Sequence, residues 1–497
     1  NVNPITRLDY PDPDVIRVED TYYMASTTMH FMPGCEILQS FDLVHWEHVT
    51  YVYETLDHTD AQQLKSGQNI YGQGMWAASL RYHEGRFCIC FVANDTRKTY
   101  LYTSEKIDGP WKKQLIEGFY HDGSLLFDED GRNYIVYGND EIWITELNED
   151  LTAPKKDGLH RLLVSDHKNP ELGYEGSHIQ KINGYYYIFL IHSLRDRWMR
   201  TEACFYSDSL EGEFTGGDVL CDDRGYCGQG VAQGGIVDTP DGKWYAMLFQ
   251  DSGAVGRIPI LLPVTWKDHF PFFGQNGHVP EEIEVHSTRP GYIYQPLVGS
   301  DDFCNGLLPR WQFNHDPDPR YYHLDALQGT YTITTREVCT ELTQAVNTLT
   351  QRMSYPSCAA EVTVDASALK EGDVAGLCAL QSCYAAVGIT KHHGKYEVLM
   401  LDKKEDGILD MTEGTVVESH QMDFRLEADF CNMKDEARCY YRVNKGDWLP
   451  IGTVHKLYFK LDHFTGCRFG LFCYAAEETG GSACFRDFKY YDVDEIS

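Results

Sequence analysis

Acidic residues that begin short strands are the part of this sequence best suited to chemistry. The stretch YPDPDVIRVEDTYY places Asp12 between two prolines, immediately before a run in which apolar and polar residues alternate. Proline limits the freedom of the backbone, so the direction of the Asp12 side chain is restricted. Asp122 in HDGSLLFD and Glu175 in YEGSHIQK begin similar runs. Carboxyl groups donate and accept protons, so these three positions are candidates for acid–base catalysis if the fold brings them together.

A repeated unit indicates how the fold brings them together. A turn followed by an aromatic strand occurs five times, in VEDTYYMAS, HEGRFCICFVAND, DEDGRNYIVYGND, INGYYYIFLIHS and PDGKWYAMLFQD. The strands before these turns also correspond, since they begin DPDVIRV, AASLRYH, DGSLLFD, EGSHIQK and QGGIVDT. Five hairpin-forming units of this kind, roughly 45 to 65 residues apart, predict a five-bladed β-propeller. The chain is therefore expected to be all-β.

The repeat also predicts which residues face the propeller axis. The first strand of each blade lies nearest the axis, so the first residue of each unit should point toward it at one common end. These residues are Asp12, Ala77, Asp122, Glu175 and Gln233. Turn chemistry alone explains an acidic residue at one strand entry, but it does not select the same register three times. Asp14, at the third place of its unit, is assigned a structural hydrogen-bonding role.

Three converging carboxylates support two kinds of chemistry. Like charges held close together raise one another's pKa, so one carboxyl group can stay protonated while another is ionised. Glycoside hydrolysis uses an acid and a base on opposite sides of a pocket. The acid protonates the leaving oxygen, and the base activates water. A calcium site is the alternative, although hard cations usually take six or more oxygen ligands.

Composition limits the remaining possibilities. A chain of 497 residues is expected to form two domains. Its 43 basic and 75 acidic side chains give a formal charge of −32, which argues against nucleic acid and membrane partners and favours a neutral ligand. No apolar run is long enough for a membrane helix and the first residues do not resemble a signal peptide, so a cytoplasmic location is expected. The sixteen cysteines contain no CxxC pair and are interpreted as reduced thiols.

The pattern changes near residue 298, where the propeller units end. Segments such as GTYTITT, AAEVTVDAS and CRFGLFCYA alternate as the strands of a β-sandwich do. We therefore expect a propeller over residues 1–297 and a β-sandwich packed against it over residues 298–497. The sandwich is either a carbohydrate-binding module or a wall that closes one side of the active-site mouth. The oligomeric state is not indicated by the sequence.

Several of these strings resemble glycoside hydrolase family 43. The resemblance rests on YPDPDVIRV, GMWAASLRYHEGRF, HDGSLLFDEDG, YEGSHIQKINGYYY and GAVGRIPILLPVTW. It continues in SDDFCNGLLPRWQFNHDPDPRYYHL and NTLTQR, which are similar to the β-sandwich of the family's β-xylosidase and α-L-arabinofuranosidase branches, and it covers nearly the whole chain. Members of the family are five-bladed propellers that act on arabinose- and xylose-containing polysaccharides.

The resemblance implies roles for the three carboxylates. Asp12 matches the general base that deprotonates water, and Glu175 matches the general acid. Asp122 matches the residue that orients Glu175 and tunes its pKa. Family members invert the anomeric configuration, which requires room for a water molecule between the base and the acid.

The resemblance also implies a set of supporting residues. Arg257 matches an arginine that reaches sugar hydroxyls, although a buried salt bridge would also explain it. Trp76 and Phe31 match aromatic residues that line the pocket, with core packing as the alternative. His178 stands at the family's EG-x-H spacing and either supports the substrate site or is a satisfied strand histidine. Gln233 stands where many members carry a histidine that ligates an axial calcium, so a structural calcium is left open and no cofactor is expected to be required.

Together these features predict an inverting, exo-acting glycosidase. In the branch that the chain resembles, a sandwich loop narrows the pocket so that one terminal sugar enters. We expect release of terminal α-L-arabinofuranosyl residues from arabinan- or arabinoxylan-type hemicellulose, with a β-D-xylosidase or a dual activity as the alternative. A non-catalytic sugar-binding propeller and a retaining fructan-type hydrolase are the competing hypotheses.

Overall fold

The computed structural model describes residues 2–412 and 414–496, and nearly all of the regular structure is β-strand. Within these ranges the strands form seven sheets. The helical turns in the same ranges are short 3-10 segments, Lys65–Gly67, Pro319–Tyr321, Leu342–Gln344 and Cys431–Met433. No helix in the described part of the chain is long and apolar enough to cross a membrane. The predicted all-β class is confirmed.

Five of the sheets are the blades of a propeller. In chain order this half of the molecule contains β1 (Asp14–Val18), β2 (Thr21–Ser26), β3 (Phe31–Met32), β4 (Gly34–Ser40), β5 (Glu47–Tyr53), β6 (Met75–His83), β7 (Arg86–Ala93), β8 (Lys98–Ser104), β9 (Lys112–Ile116), β10 (Ser124–Phe127), β11 (Asn133–Asn139), β12 (Glu141–Leu147), β13 (His160–Ser165), β14 (Glu175–Ile182), β15 (Tyr185–Ser193), β16 (Arg200–Ser207), β17 (Thr215–Leu220), β18 (Val231–Ala232), β19 (Ile236–Asp238), β20 (Trp244–Asp251), β21 (Arg257–Lys267) and β22 (Phe270–Phe273).

The blades follow one another around a ring. Their strand orders are β1-β2-β4-β5, β6-β7-β8-β9, β10-β11-β12-β13 and β14-β15-β16-β17, and in the fifth blade β18 and β19 both pair with β20, which is followed by β21 and β22. Among the inner strands, β1 contacts β6 and β19, and β10 contacts β6 and β14. The inner strands therefore surround a common axis, as the repeat predicted.

Packing between blades explains the aromatic and apolar runs in the sequence. Alternate residues of β7 serve two interfaces: Ile89 and Phe91 pack toward the first blade, whereas Cys88 and Cys90 pack toward the third. A strand buried on both faces reads as a continuous apolar run. The sixteen cysteines are all free thiols, as their spacing predicted.

The remaining two sheets form the sandwich. Its strands are β23 (Gln312–Asn314), β24 (Tyr322–Asp325), β25 (Thr330–Thr334), β26 (Leu349–Arg352), β27 (Ser357–Asp365), β28 (Val374–Leu380), β29 (Ala385–His392), β30 (Lys395–Lys403), β31 (Leu409–Met411), β32 (Thr415–Val417), β33 (Gln421–Asp429), β34 (Glu436–Arg442), β35 (Leu449–Lys456), β36 (Arg468–Tyr474) and β37 (Ser482–Tyr491). One sheet has the order β3-β23-β26-β36-β28-β29-β30-β31, with β32 also paired to β30, and the other has the order β24-β25-β37-β27-β33-β34-β35.

The two halves are joined by backbone as well as by side chains. β3, which comes from the propeller half, pairs with β23 of the sandwich. The loop between β20 and β21 places Ala254 and Val255 in the sandwich core, where the Ala254 carbonyl accepts from the Cys467 N–H at 2.8 Å. The predicted five-bladed propeller and sandwich are confirmed. The predicted boundary at residues 297/298 falls between β22 and β23, and its exact position stays a prediction.

Candidate active site

The inner strand of each blade begins with the same backbone irregularity. Left-handed backbone occurs at the first position of the unit in blades one, two, three and five, and one residue later in blade four: Asp12 (φ 54°), Ala77 (φ 23°), Asp122 (φ 47°), Gln233 (φ 68°) and Gly176 (φ 64°). The ladders between β6 and β7 and between β14 and β15 shift register at these points. Bulges of this kind redirect side chains at a strand entry. The register shared by the five units in the sequence is therefore also shared by their backbones.

Asp12 lies at the centre of three hydrogen bonds. Its Oδ1 accepts from Nε2 of Gln233 at 3.0 Å and from Nη1 of Arg257 at 3.2 Å, and its Oδ2 accepts from Oγ1 of Thr27 at 2.6 Å. The side chain is 7% exposed. Because a carboxylate offers about four lone-pair sites, these bonds fix the orientation of Asp12 and leave about one site for another donor.

Asp122 and Glu175 are brought together by His121. Nε2 of His121 lies 3.1 Å from Oε2 of Glu175 and 3.2 Å from Oδ2 of Asp122, and the same Asp122 oxygen accepts from the Gly176 N–H at 2.9 Å. Burial opposes a charge on His121, but Asp122 and Glu175 outweigh it and raise the pKa of His121 to about 11. Burial also opposes the charge on Asp122, yet His121 and the Gly176 N–H lower the pKa of Asp122 overall. The Glu175 side chain is 20% exposed and is the more accessible of the two carboxyls.

Arg257 and Trp76 carry buried donors that lack a partner in the described part of the chain. Arg257, the first residue of β21, pairs with Asp12, but its Nε and Nη2 are buried without a partner among the residues that the structure describes. The same holds for Nε1 of Trp76. Leaving buried N–H groups unpaired costs free energy, so a ligand with hydroxyl acceptors would be favoured here. Arg257 thus combines the two predicted alternatives, a buried salt bridge and donors available to a sugar.

The sandwich contributes an aromatic ring to this site. Phe464 stacks on Trp76 with the ring centroids 5.3 Å apart and the planes 8° apart, and the guanidinium carbon of Arg257 lies 4.6 Å from the centre of the Phe464 ring. Asp9 ties these elements together, because its carboxylate accepts from the backbone N–H of Arg257 at 2.8 Å and from that of Gly466 at 2.9 Å. This arrangement supports the interpretation of the sandwich as a wall of the site.

Two of the predicted substrate contacts have protein partners. Nδ1 of the buried His178 lies 3.1 Å from Oδ1 of Asp14, which agrees with the structural role assigned to Asp14. Phe31 is fully buried in β3, and the guanidinium carbon of Arg468 lies 3.5 Å from the centre of its ring. Substrate contact by His178 or Phe31 stays a prediction.

The residues around Gln233 do not suit an axial calcium. The side-chain amide of Gln233 donates to Asp12, and its backbone N–H donates to Oε1 of Glu202 at 2.9 Å. Burial raises the pKa of Glu202 well above its usual range, which disfavours the charged form of this carboxyl. Arg257 already places a positive charge on Asp12. A hard cation needs several oxygen ligands, whereas the carboxyl groups here are Asp12, which is already paired with Arg257, and Glu202, whose charged form burial disfavours.

A second group has the spacing of metal ligands but not their protonation state. His121, Asp122 and Glu175 each offer a ligand atom within 4.8 Å of the others. A histidine must be neutral to bind a metal, so a metal here would have to displace the proton that Asp122 and Glu175 hold on His121.

Four contributors to the site were not predicted from the sequence, namely Thr27, His121, Asp9 and Phe464. His121 directly precedes Asp122, so its place beside the first residue of a unit was an available signal. The contact of Asp9 with Gly466 and that of Phe464 with Trp76 carry no local signal, because they arise only when the sandwich docks on the propeller.

Comparison with known proteins identifies the family. The family model described as "Glycosyl hydrolases family 43" matches residues 2–271, and the model described as "Beta xylosidase C-terminal Concanavalin A-like domain" matches residues 300–491. The chain belongs to glycosyl hydrolase family 43. The family 43 resemblance drawn from the sequence is confirmed, and the protein is a glycosidase.

Relatives of this family 43 glycosidase carry two activities in their names. A beta-xylosidase of Formosa agariphila is 26% identical, with 99% of this chain and 89% of its own length aligned. A non-reducing end alpha-L-arabinofuranosidase of Bacteroides ovatus is 23% identical, with 82% of this chain and 79% of its own length aligned. Among solved structures, a protein described as a bifunctional GH43-CE of Bacteroides eggerthii is 42% identical with a TM-score of 0.92. It covers 100% of this chain, whereas this chain spans 64% of that protein.

Proposed function

We propose that the protein is an inverting exo-glycosidase that releases terminal α-L-arabinofuranosyl or β-D-xylosyl residues from arabinan-, arabinoxylan- or xylan-type saccharides. The observation that carries the proposal is the arrival of Asp12 and of the Asp122–His121–Glu175 group at the same end of the inner strands, beside a wall that contains Phe464. The sequence favours the arabinofuranosyl substrate, whereas the names of relatives support the xylosyl substrate as much as the arabinofuranosyl one. The proposal therefore includes both sugars.

In the proposed reaction Asp12 is the general base. The donors Gln233, Arg257 and Thr27 hold its carboxylate in one orientation. The remaining lone-pair site accepts a proton from the attacking water. Removal of any of the three donors should therefore disturb the direction from which water attacks.

Glu175 is the proposed general acid. In the reactive form its Oε2 accepts from Nε2 of His121 and its Oε1 carries the proton for the glycosidic oxygen, while Asp122 balances the charge of His121. Asp122 is a positioning residue, since it binds both His121 and the Gly176 N–H that follows Glu175 in the chain. Inversion requires the base and the acid to be about 6.5 to 9.5 Å apart, so that water fits between Asp12 and the sugar.

The terminal sugar is held by the unpaired donors. Nε and Nη2 of Arg257 and Nε1 of Trp76 suit hydroxyl acceptors. Each such hydrogen bond contributes on the order of 1 kcal/mol, so a difference of one bond decides about a fivefold preference between two pentoses. The stacked rings of Trp76 and Phe464 close one side of the pocket, which favours attack at chain ends and side branches.

The proposal is tested with aryl α-L-arabinofuranoside, aryl β-D-xyloside, and decorated arabinan and arabinoxylan, with the released sugars identified. Asp12→Asn and Glu175→Gln should each lower kcat by about 10² to 10⁴-fold. Glu171→Gln removes an exposed carboxyl from the loop before β14 and is the matched control, with kcat unchanged.

Leaving-group dependence separates the two roles. Only departure of the leaving group needs the acid, so a more acidic phenol should recover much of the activity of Glu175→Gln and little of that of Asp12→Asn. Turnover within a few-fold of the unmodified protein in both variants would contradict the assignment. Saccharide binding without turnover by the unmodified protein would instead support the sugar-binding propeller.

A further inference from the structure

A row of aromatic rings and guanidinium groups extends from the active site to the surface. The row begins with Phe464 and Arg257. The guanidinium carbon of Arg257 lies 5.5 Å from the centre of the Phe249 ring. The guanidinium carbon of Arg200 lies 5.3 Å from the centre of the Phe249 ring and 5.3 Å from the centre of the Trp198 ring. We call Phe464, Arg257, Phe249, Arg200 and Trp198 the aromatic–arginine row.

Trp198 is the exposed end of this row. Its residue surface is 45% exposed, whereas Phe249 is fully buried. Arg200 supports the indole and is itself held by Asp251, with a nitrogen–oxygen distance of 2.9 Å. An indole supported on one side by a fixed cation keeps a large apolar face open to a ligand.

The loop that carries Trp198 lies on the active-site face of the propeller. Glu175 at the start of β14 pairs with Ile191 near the end of β15, so the loop of residues 194–199 that follows β15 leaves the sheet at the Glu175 end. At the base of this loop the hydroxyl of Ser193, the last residue of β15, accepts from the Met199 N–H at 2.8 Å and donates to the Arg197 carbonyl at 3.0 Å. The loop is therefore tied across its base, which limits the movement of the indole.

We propose that Trp198 is a binding platform for the part of the saccharide that lies beyond the bond to be cleaved. This inference rests on the proposed function, in which one terminal sugar enters the pocket and the rest of the chain stays outside. The apolar face of a neutral pentose ring packs on an indole, and a neutral ring needs no countercharge on this strongly acidic protein. The strand register puts the platform on the same face of the propeller as Glu175, and the aromatic–arginine row connects it to Arg257 through Arg200 and the buried Phe249.

Comparison of a short and a long substrate tests the platform. In Trp198→Ala, the ratio of kcat/KM for a linear xylo-oligosaccharide or arabino-oligosaccharide to kcat/KM for the matching aryl glycoside should fall about three- to tenfold, mainly through KM. Trp198→Tyr should restore most of this ratio because it keeps an aromatic face. Phe272→Ala, which removes a 50% exposed ring from the outer strand β22, is the matched control and should leave the ratio unchanged.

Binding measured without turnover completes the test. In a Glu175→Gln background, titration calorimetry with a xylo-oligosaccharide should show about three- to tenfold weaker binding when Trp198→Ala is added. An unchanged ratio and unchanged affinity, with aryl glycosides still hydrolysed, would overturn the platform and leave the proposed function intact. Loss of self-association in Trp198→Ala with an unchanged ratio would assign the surface to a second copy of the chain and also overturn it. No turnover of any glycoside by the unmodified protein would refute the proposed function itself.

Discussion

Replacement of Phe464 by alanine removes the contribution of the sandwich to the active site. The Phe464 ring has two contacts there, the stack on Trp76 at 5.3 Å and the Arg257 guanidinium at 4.6 Å. An aromatic pair contributes about 0.5 to 1.5 kcal/mol and a cation–π contact about 0.5 to 2 kcal/mol. Loss of both amounts to about 1 to 3.5 kcal/mol. If these contacts position Trp76 and Arg257 for the transition state, kcat/KM should fall by about 5- to 400-fold, since about 1.4 kcal/mol corresponds to a factor of ten.

The assay is kcat/KM of Phe464→Ala on aryl α-L-arabinofuranoside and aryl β-D-xyloside, together with the melting temperature. Leu461→Ala is the matched control, because Leu461 belongs to the same loop and is 74% exposed. The control should keep the full kcat/KM, and both variants should melt as one folded species. A Phe464→Ala protein with kcat/KM within about twofold of the unmodified protein would refute the participation of the sandwich in the site.

Three further changes test other parts of the structure. Burial lowers the pKa of His315 to about 3 and that of His463 to about 4, whereas an unfolded histidine titrates near about 6.5, so the unfolded chain binds more protons as the pH falls. The free energy of unfolding should therefore drop by about 2 kcal/mol for each of them between about pH 7 and about pH 5, measured by urea unfolding, and a flat profile would contradict their buried neutral state. His121→Asn removes a charged donor from Asp122 and Glu175 and should lower kcat/KM by about 10- to 100-fold, whereas an unchanged kcat/KM would show that the contact is structural. Dialysis against a chelator should leave kcat within about twofold, and a loss that added calcium reverses would show that Gln233 retains the axial ion.

The propeller and the placement of its carboxylates could be predicted because both depend on a repeat. Each unit has its own turn and its own inner strand, so a residue's place in the unit predicts which way it faces. Asp12 and Glu175 each stand first in their units although they belong to different blades. Left-handed backbone occurs at both strand entries, at Asp12 and at Gly176. Local sequence therefore determined this part of the site.

The remainder depends on contacts that local sequence does not determine. Phe31 lies in a strand of two residues that joins the sandwich sheet, and no sequence pattern identifies a strand so short. His178 follows a bulge in β14, so a count of alternate residues does not predict its partner, Asp14. Phe464 reaches the site because the sandwich docks on the propeller, where Asp9 accepts from the Gly466 N–H.

Proton NMR of the first sugar released tests the central claim most directly. If Asp12 activates water on the face opposite the bond that Glu175 protonates, an aryl β-D-xyloside should release α-xylose before mutarotation mixes the anomers, and an aryl α-L-arabinofuranoside should release the β-anomer. Initial release of the retained anomer would indicate a covalent glycosyl-enzyme intermediate. That result would contradict the roles proposed for Asp12 and Glu175.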